Sequence, residues 1–149
     1  FEYFLVYGKE KEDLNFCQVN GIEFLGQLVE ESLFDMESEG FAVERHSDEI
    51  CCLLCVDIPS VRRVFGNIFS NLAKYADRES PVRVCYRQTE DSLTICFSNR
   101  AAGASAEQER NGIGLKTCER IMEAHGGRFS HRLRDGVFET ELEFPVFRG

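Results

Sequence analysis

Apolar positions along the chain follow two periods, and the points where one gives way to the other mark its elements. From Gly21 to Glu39, Leu25, Leu28, Val29, Leu33 and Met36 recur at helical spacing, and Gly40 follows as a stop. A second helix is predicted from about Ile58 to Ala76, with Asp57 as its N-cap and Pro59 in the first turn. A third starts near Gly112, carries Leu115, Cys118, Ile121 and Met122 on one face, and ends at Gly126-Gly127. Between the helices, "LNFCQVN" reads as a short strand, and "FAVERH" and "ICCLLCVD" as two strands joined by the polar turn "SDE". "VRVCYRQ" and "SLTICFS" alternate as a hairpin, and "RFSHRL" and "VFETELEFPV" as a second one. "NRAAGASAEQERNG" is small and polar with no period, and is predicted to be a loop. The order predicts an α+β fold, a two-layer sandwich of a mixed sheet with three helices on one face.

Composition narrows the class. At 149 residues, 43% hydrophobic and 29% charged, the chain is long enough for one soluble domain with a core of its own. Its net charge of −9 makes nucleic acid and anionic lipid poor partners. A polyanionic ligand stays open only where cations are grouped. No apolar run reaches the roughly 20 residues of a membrane helix. The chain opens on Phe1 rather than Met, so a piece of a longer protein is expected, with residues 1–13 as the end of an upstream helix plus linker and 14–149 as the domain. The seven cysteines include a CxxC at Cys52 and Cys55, beside Cys51. Within a strand, positions 52 and 55 point to opposite faces and cannot share a metal, so the cluster is expected to pack as small hydrophobes in a reducing compartment.

The second helix carries a polar stripe beside its apolar one. On a wheel of about 100° per residue, Val61, Val64, Phe65, Ile68, Leu72 and Tyr75 share one side. Asn67, Asn71, Lys74 and Arg78 line up next to them. Asparagine is a mediocre helix former, and a solvated helix edge is the plain reading of such a stripe. The chemical reading is that two carboxamides four residues apart supply neutral oxygens for a hard cation that also keeps water and phosphates. Lys74 and Arg78 would then reach the phosphates that travel with the metal.

The third helix opens with Gly112, Ile113, Gly114 and Leu115, flanked by Arg110 and Lys116. Its first backbone N–H groups lack partners and lie at the positive end of the helix dipole, and glycines there let a phosphate come close. A GxG alone is weak. Behind a loop and beside the asparagine helix it points to a nucleotide.

With these segments in view, "NIFSNLAKYAD" and, about 35 residues on, "NGIGLKTCERIMEAHGG" resemble the N-box and second glycine box of the catalytic ATP-binding domain of sensor histidine kinases, of the GHKL superfamily and its Bergerat fold. The resemblance covers nearly the whole chain, since "VNGIEFLGQLVEESLFDMESEGFAVE" is similar to the opening strand, helix and strand of such domains. It implies ATP and Mg2+ as ligands, with Asn71 and Asn67 at the metal and Lys74 and Tyr75 at phosphate and nucleoside. Gly112 and Gly114, with Arg110, Leu115 and Lys116 around them, would hold the lid end against the phosphates. In the family an Asp in a D-x-G-x-G box reads adenine; the matching stretch here is "FSNRAAG", with Asn99 for the Asp, Ala101 for the first glycine and Gly103 kept. An asparagine can still accept from the adenine amino group. Arg110 replaces the leading glycine of the second box.

The resemblance further implies the direction of the chemistry. The family's ATPases carry a Glu one turn before the magnesium asparagine; Asn67 stands there and cannot take a proton from water. The γ-phosphoryl group is thus expected to go to a histidine. His46, His125 and His131 lie outside the acceptor motif, and His125 is expected to be structural, so the acceptor would sit on an upstream dimerisation domain. The implied setting is the cytoplasmic part of a membrane-anchored sensor, a homodimer when complete though monomeric as this fragment, serving a response regulator indirectly. A non-catalytic nucleotide-sensing or protein-binding module on the same fold is the competing reading, motivated by Asn99, Ala101 and Arg110; a stand-alone ATPase ranks third.

Overall fold

The computed structural model describes residues 14–47, 51–101 and 113–147. Helix α1 (Gly21–Ser38), α2 (Ile58–Tyr75) and α3 (Ile113–Ala124) lie on one side of a five-stranded sheet. The strands are β1 (Cys17–Asn20), β2 (Val43–Ser47), β3 (Leu53–Val56), β4 (Val82–Gln88), β5 (Ser92–Arg100), β6 (Arg128–Arg134) and β7 (Val137–Pro145). The main sheet runs β2-β4-β5-β7-β6, with β2 parallel to β4 and the other pairs antiparallel, so it is mixed as expected. The α+β two-layer sandwich is the observed fold.

The short strands divide between two sheets. β2 and β3, adjacent in sequence, do not pair: β2 is an edge of the main sheet, whereas β3 joins β1 in a separate antiparallel ribbon. Of the intervening "SDE", Ser47 closes β2, and positions 48 and 49 lie outside the described residues. The cysteine cluster also differs from expectation. β3 starts only at Leu53, so Cys51 and Cys52 precede the strand; Cys51 is exposed, and Cys52 and Cys55 are half-buried. Local hydrophobicity could not show that the ribbon is thin and has a wet side.

The core follows the two periods. Leu93, Ile95 and Phe97 of β5 and Phe138, Leu142 and Phe144 of β7 face the helices and are all but fully buried. They meet Leu25, Val29 and Leu33 of α1 and Val64, Phe65 and Ile68 of α2. Phe69 joins this layer, its ring 5.1 Å from Phe97 in a T-shaped contact, while Tyr75 is only half-buried. The wheel had placed Tyr75 in the packed face and left Phe69 out. Gly40 ends α1 at φ +98, with Phe41 N–H returning to the Met36 carbonyl, the bond pattern of a left-handed helix stop.

Asp57 caps α2 and is a hub. Its carboxylate accepts from the Ser60 N–H at 3.1 Å, from the Ser60 hydroxyl, and from the Asn15 N–H at 3.0 Å. The Asp57 N–H in turn donates to His125 Nε2 at 3.1 Å, and His125 Nδ1 bonds the Ile121 carbonyl at 2.8 Å. A ring that accepts on Nε2 and donates on Nδ1 is neutral. His125 therefore ties the end of α3 to the start of α2, the structural role expected of it. Burial lowers its pKa below 6.5, against the pull of the Ile121 carbonyl and of Asp57. Burial alone would raise Asp57, but the bonds from Ser60 and Asn15 outweigh it and leave its pKa below 3.8.

Both shifts act on stability in the same direction. The unfolded chain binds protons more readily at these two positions, so stability falls as pH drops. The His125 share is complete above about pH 6.5 and is lost as pH falls through its depressed folded value. The Asp57 share goes at lower pH, below 3.8. Urea titrations between pH 7 and 5 should show His125→Gln, which keeps an acceptor, with a flatter stability slope than the parent chain. Equal slopes would refute the assignment.

Candidate functional site

The polar stripe of α2 meets α3 at Asn67. Its Nδ2 donates to the Gly114 carbonyl at 3.1 Å, and one turn back the Cys118 thiol bonds the Val64 carbonyl at 3.7 Å. Residue 114 thus faces 67 and residue 118 faces 64, so the two helices run antiparallel. Continuing one turn along α2, about 5.4 Å, carries Asn71 past Gly114 and off the N-terminal end of α3. That is where the unpaired N–H groups and the positive dipole end of a helix lie.

β5 supplies the floor. Asn99 is only 2% exposed and points to the helix side, two residues after Phe97 in the same row. Its Nδ2 donates to the Arg100 carbonyl at 3.1 Å. Its Oδ1 is buried with no hydrogen-bond partner among the described residues. A buried carbonyl oxygen without a donor costs on the order of 1–3 kcal/mol. Because Arg100 holds the amide nitrogen, this oxygen is presented as an acceptor. The end of α2 is tied beside it: the Asp77 N–H donates to the Arg100 carbonyl at 2.8 Å, and Ala76 bridges Ala101. Asn99 therefore borders the end of α2.

Two of the residues expected at the site make contacts of their own. Asn67, expected beside the metal and in catalysis, has its nitrogen on Gly114, and its side chain also bonds the Cys118 thiol. Burial pushes that thiol up to about 12, with the Asn67 bond pulling the other way. The amide nitrogen of Asn67 thus ties α2 to α3, in a bond that does not engage the oxygen a metal would use. Arg78 departs from the expectation. α2 ends at Tyr75 and Ala76 is extended, so Arg78 leaves the stripe. Its guanidinium bonds the Glu39 carbonyl, lies 3.7 Å from the Glu39 carboxylate and covers the Phe41 ring at 4.9 Å. It closes the end of α1.

Lys74 is exposed, its Nζ 5.7 Å from the centre of the Tyr75 ring. Gly114 is half-buried, and a Cβ there would touch Asn67 at 3.8 Å, an ordinary contact. Leu115 is buried and Lys116 exposed. Gly103, Arg110 and Gly112 lie outside the described residues. One residue escaped the sequence reading. Thr140 of β7 is 2% exposed on the helix side, diagonal to Asn99 because Phe138 is the direct partner of Asn99. The signal was a Thr in the apolar register of "VFETELEF".

A helix-covered mixed sheet with this site defines a class, and comparison with known proteins identifies it. The chain belongs to the family described as histidine kinase-, DNA gyrase B-, and HSP90-like ATPase, whose profile matches residues 56–146. Sensor histidine kinase YrkQ of Bacillus subtilis is 27% identical over 97% of this chain and 33% of its own length. Signal transduction histidine-protein kinase BaeS of Escherichia coli is 27% identical over 62% of this chain and 24% of its own. The chain thus spans a third or less of these relatives. Among solved structures, the nucleotide-free catalytic domain of histidine kinase ThkA superposes with TM-score 0.72 at 16% identity, over 88% of this chain and 97% of that one. Acinetobacter baumannii histidine kinase AdeS gives 0.72 at 11% identity over 97% and 76%. Among the described residues no helix is long and apolar enough to cross a membrane.

Proposed function

We propose that this chain is the ATP-binding catalytic domain of a two-component sensor kinase, which donates the γ-phosphoryl group of ATP to a histidine on an upstream dimerisation domain. The observation that carries the reading is the Oδ1 of Asn99, buried beside the α2 stripe and without a partner among the described residues. A 6-amino purine would satisfy that oxygen. The residues fit the nucleotide and its metal: Asn71 offers a neutral oxygen off the head of α3, and Lys74 is exposed nearby on the same helix. Mg2+, when held by Asn71 and the phosphates, would supply charge neutralisation.

This chain's own residues then do three things. Asn99 orients the base, and the α3 N-terminus with Lys74 and Lys116 gathers the phosphates. Asn67 holds α3 against α2 so that the phosphate end and the metal end keep their spacing. With a carboxamide rather than a carboxylate at position 67, no base stands ready for water, which favours transfer over hydrolysis. The acceptor, a homodimeric assembly, membrane anchoring and a response regulator downstream belong to the same proposal. Joining this chain to its upstream segment and adding labelled ATP should yield acid-labile phosphohistidine; ATP bound without labelling would favour a nucleotide-sensing module.

Base recognition gives a separate expected result. Asn99→Leu should weaken ATP binding by about tenfold to a hundredfold, the cost of a hydrogen bond to a buried acceptor, in calorimetry with Mg-ATP. Inosine triphosphate, which lacks the 6-amino group, should bind the parent chain about that much more weakly than ATP and lose little on Asn99→Leu. Equal affinities of the parent chain for the two nucleotides would remove Asn99 from the site.

A further inference from the structure

The side of the main sheet away from the helices carries a pair of thiols that the nucleotide site does not use. Cys85 of β4 and Cys96 of β5 are direct partners in the antiparallel register, and both are half-buried. No other cysteine pair in the described strands is so placed: Cys17 opposes Val56, Cys55 opposes Gln18, and Cys118 is buried between α2 and α3. Among the described residues no three metal-ligating side chains converge, so a shared ion does not account for the pair.

We propose that Cys85 and Cys96 are a redox modification site, forming a reversible cross-strand disulfide by exchange with a small disulfide such as oxidised glutathione. The register sets the spacing. At the hairpin turn the Thr89 N–H bonds the Ser92 carbonyl, which makes 89 and 92 a hydrogen-bonded pair. Pair type alternates along the ladder, so 85 and 96, two full repeats on, form a hydrogen-bonded pair with Cα atoms about 5.5 Å apart. Disulfides span Cα distances of about 4.4–6.8 Å. At such a position the Cβ atoms lie farther apart than at the alternate one, so the bond forms under strain. A strained, partly exposed disulfide is readily reduced, as a reversible one must be.

The exchange proceeds in two steps. The Cys85 thiolate attacks one sulfur of oxidised glutathione; that S–S bond breaks, and the leaving thiolate takes up a proton. Cys96 then loses its proton to solvent, and its sulfur attacks the Cys85 sulfur of the mixed disulfide, expelling the second glutathione. Two protein thiols are oxidised and one glutathione disulfide is reduced to two thiols. The order follows from surroundings. Burial, with Glu141 and Glu139 across the strand, pushes Cys96 up to about 11, so its thiolate is scarce and it serves as the resolving thiol. The crosslink would join the two strands three residues before Asn99.

The test is to expose the folded chain to oxidised glutathione, block free thiols, digest and weigh the peptides. The Cys85 and Cys96 peptides are expected to be joined, lighter by two hydrogens, and separated again by reduced glutathione. Cys96→Ser should trap glutathione on Cys85, whereas Cys85→Ser should leave Cys96 free and alkylatable. Glutathione on exposed Cys17 and Cys51 while Cys85 and Cys96 both stay alkylatable would overturn the proposal, as would either of them joined to a different cysteine.

Discussion

Replacing Asn71 by alanine is expected to abolish magnesium-dependent ATP binding while leaving the domain folded. The residue is half-buried within α2, one turn beyond the Asn67–Gly114 contact and off the head of α3. Removing an outer partner of a metal site typically costs about 10–100-fold, so loss of a direct ligand should cost about 100-fold or more. Stability should move the other way, because alanine is a better helix former than asparagine by a few tenths of a kcal/mol or more, roughly. Calorimetry with Mg-ATP and thermal unfolding on the same sample separate the two effects. Unchanged heat of binding in a folded Asn71→Ala chain would remove the metal from this helix.

Gly127→Ala is expected to produce the largest loss of stability of any glycine-to-alanine change among the described residues. A Cβ at Gly127 would lie 2.1 Å from the Glu143 carbonyl oxygen and 3.2 Å from its carbon, both backbone atoms of β7. No rotamer change can relieve that contact. The start of β6 would have to leave β7, although Arg128 pairs with Glu143 and the Gly127 N–H closes α3 on Met122. Overpacking costs about 1–3 kcal/mol and occasionally more; the backbone clash puts this case at about 3 kcal/mol or above. For a chain of this size that corresponds to a fall in Tm of roughly 6–12 °C. Gly66→Ala provides the contrast. Gly66 is exposed within α2 and its Cβ would meet nothing within 4 Å, so the helix should gain about 0.5–1 kcal/mol. A Gly127→Ala chain that melts with the parent would show that β6 and β7 are looser than described.

What could be read from the chain was whatever depends on near neighbours. Leu25, Leu28, Val29, Leu33 and Met36 mark a helix by spacing alone, and all five are buried. Asp57 is a cap because its carboxylate reaches an N–H three residues on, a local geometry. The alternation in "SLTICFS" and "VFETELEF" placed the inward rows, and motif order placed Asn71, Asn99 and Gly114 in one family. Where motifs stand in for contacts, sequence can nominate a site.

Only the tertiary structure could decide what depends on distant partners. Asn67 and Asn71 are the same residue type on one stripe, and short of the family motif nothing in the sequence separates them. The antiparallel crossing of α3 turns one to the Gly114 carbonyl and leaves the other beyond the helix head. Arg78 fits the stripe on a wheel, but a wheel assumes the helix continues, and α2 stops at Tyr75. β2 and β3 look like neighbours until β4 takes β2 and β1 takes β3. Cys85 and Cys96 stand 11 positions apart in the chain and face each other only because the hairpin register makes them partners. Periodicity is set by covalent geometry, which each stretch of chain carries with it. Pairing, crossing and the burial of the Asn99 oxygen are set by segments far apart in sequence, and exist only once those segments have packed.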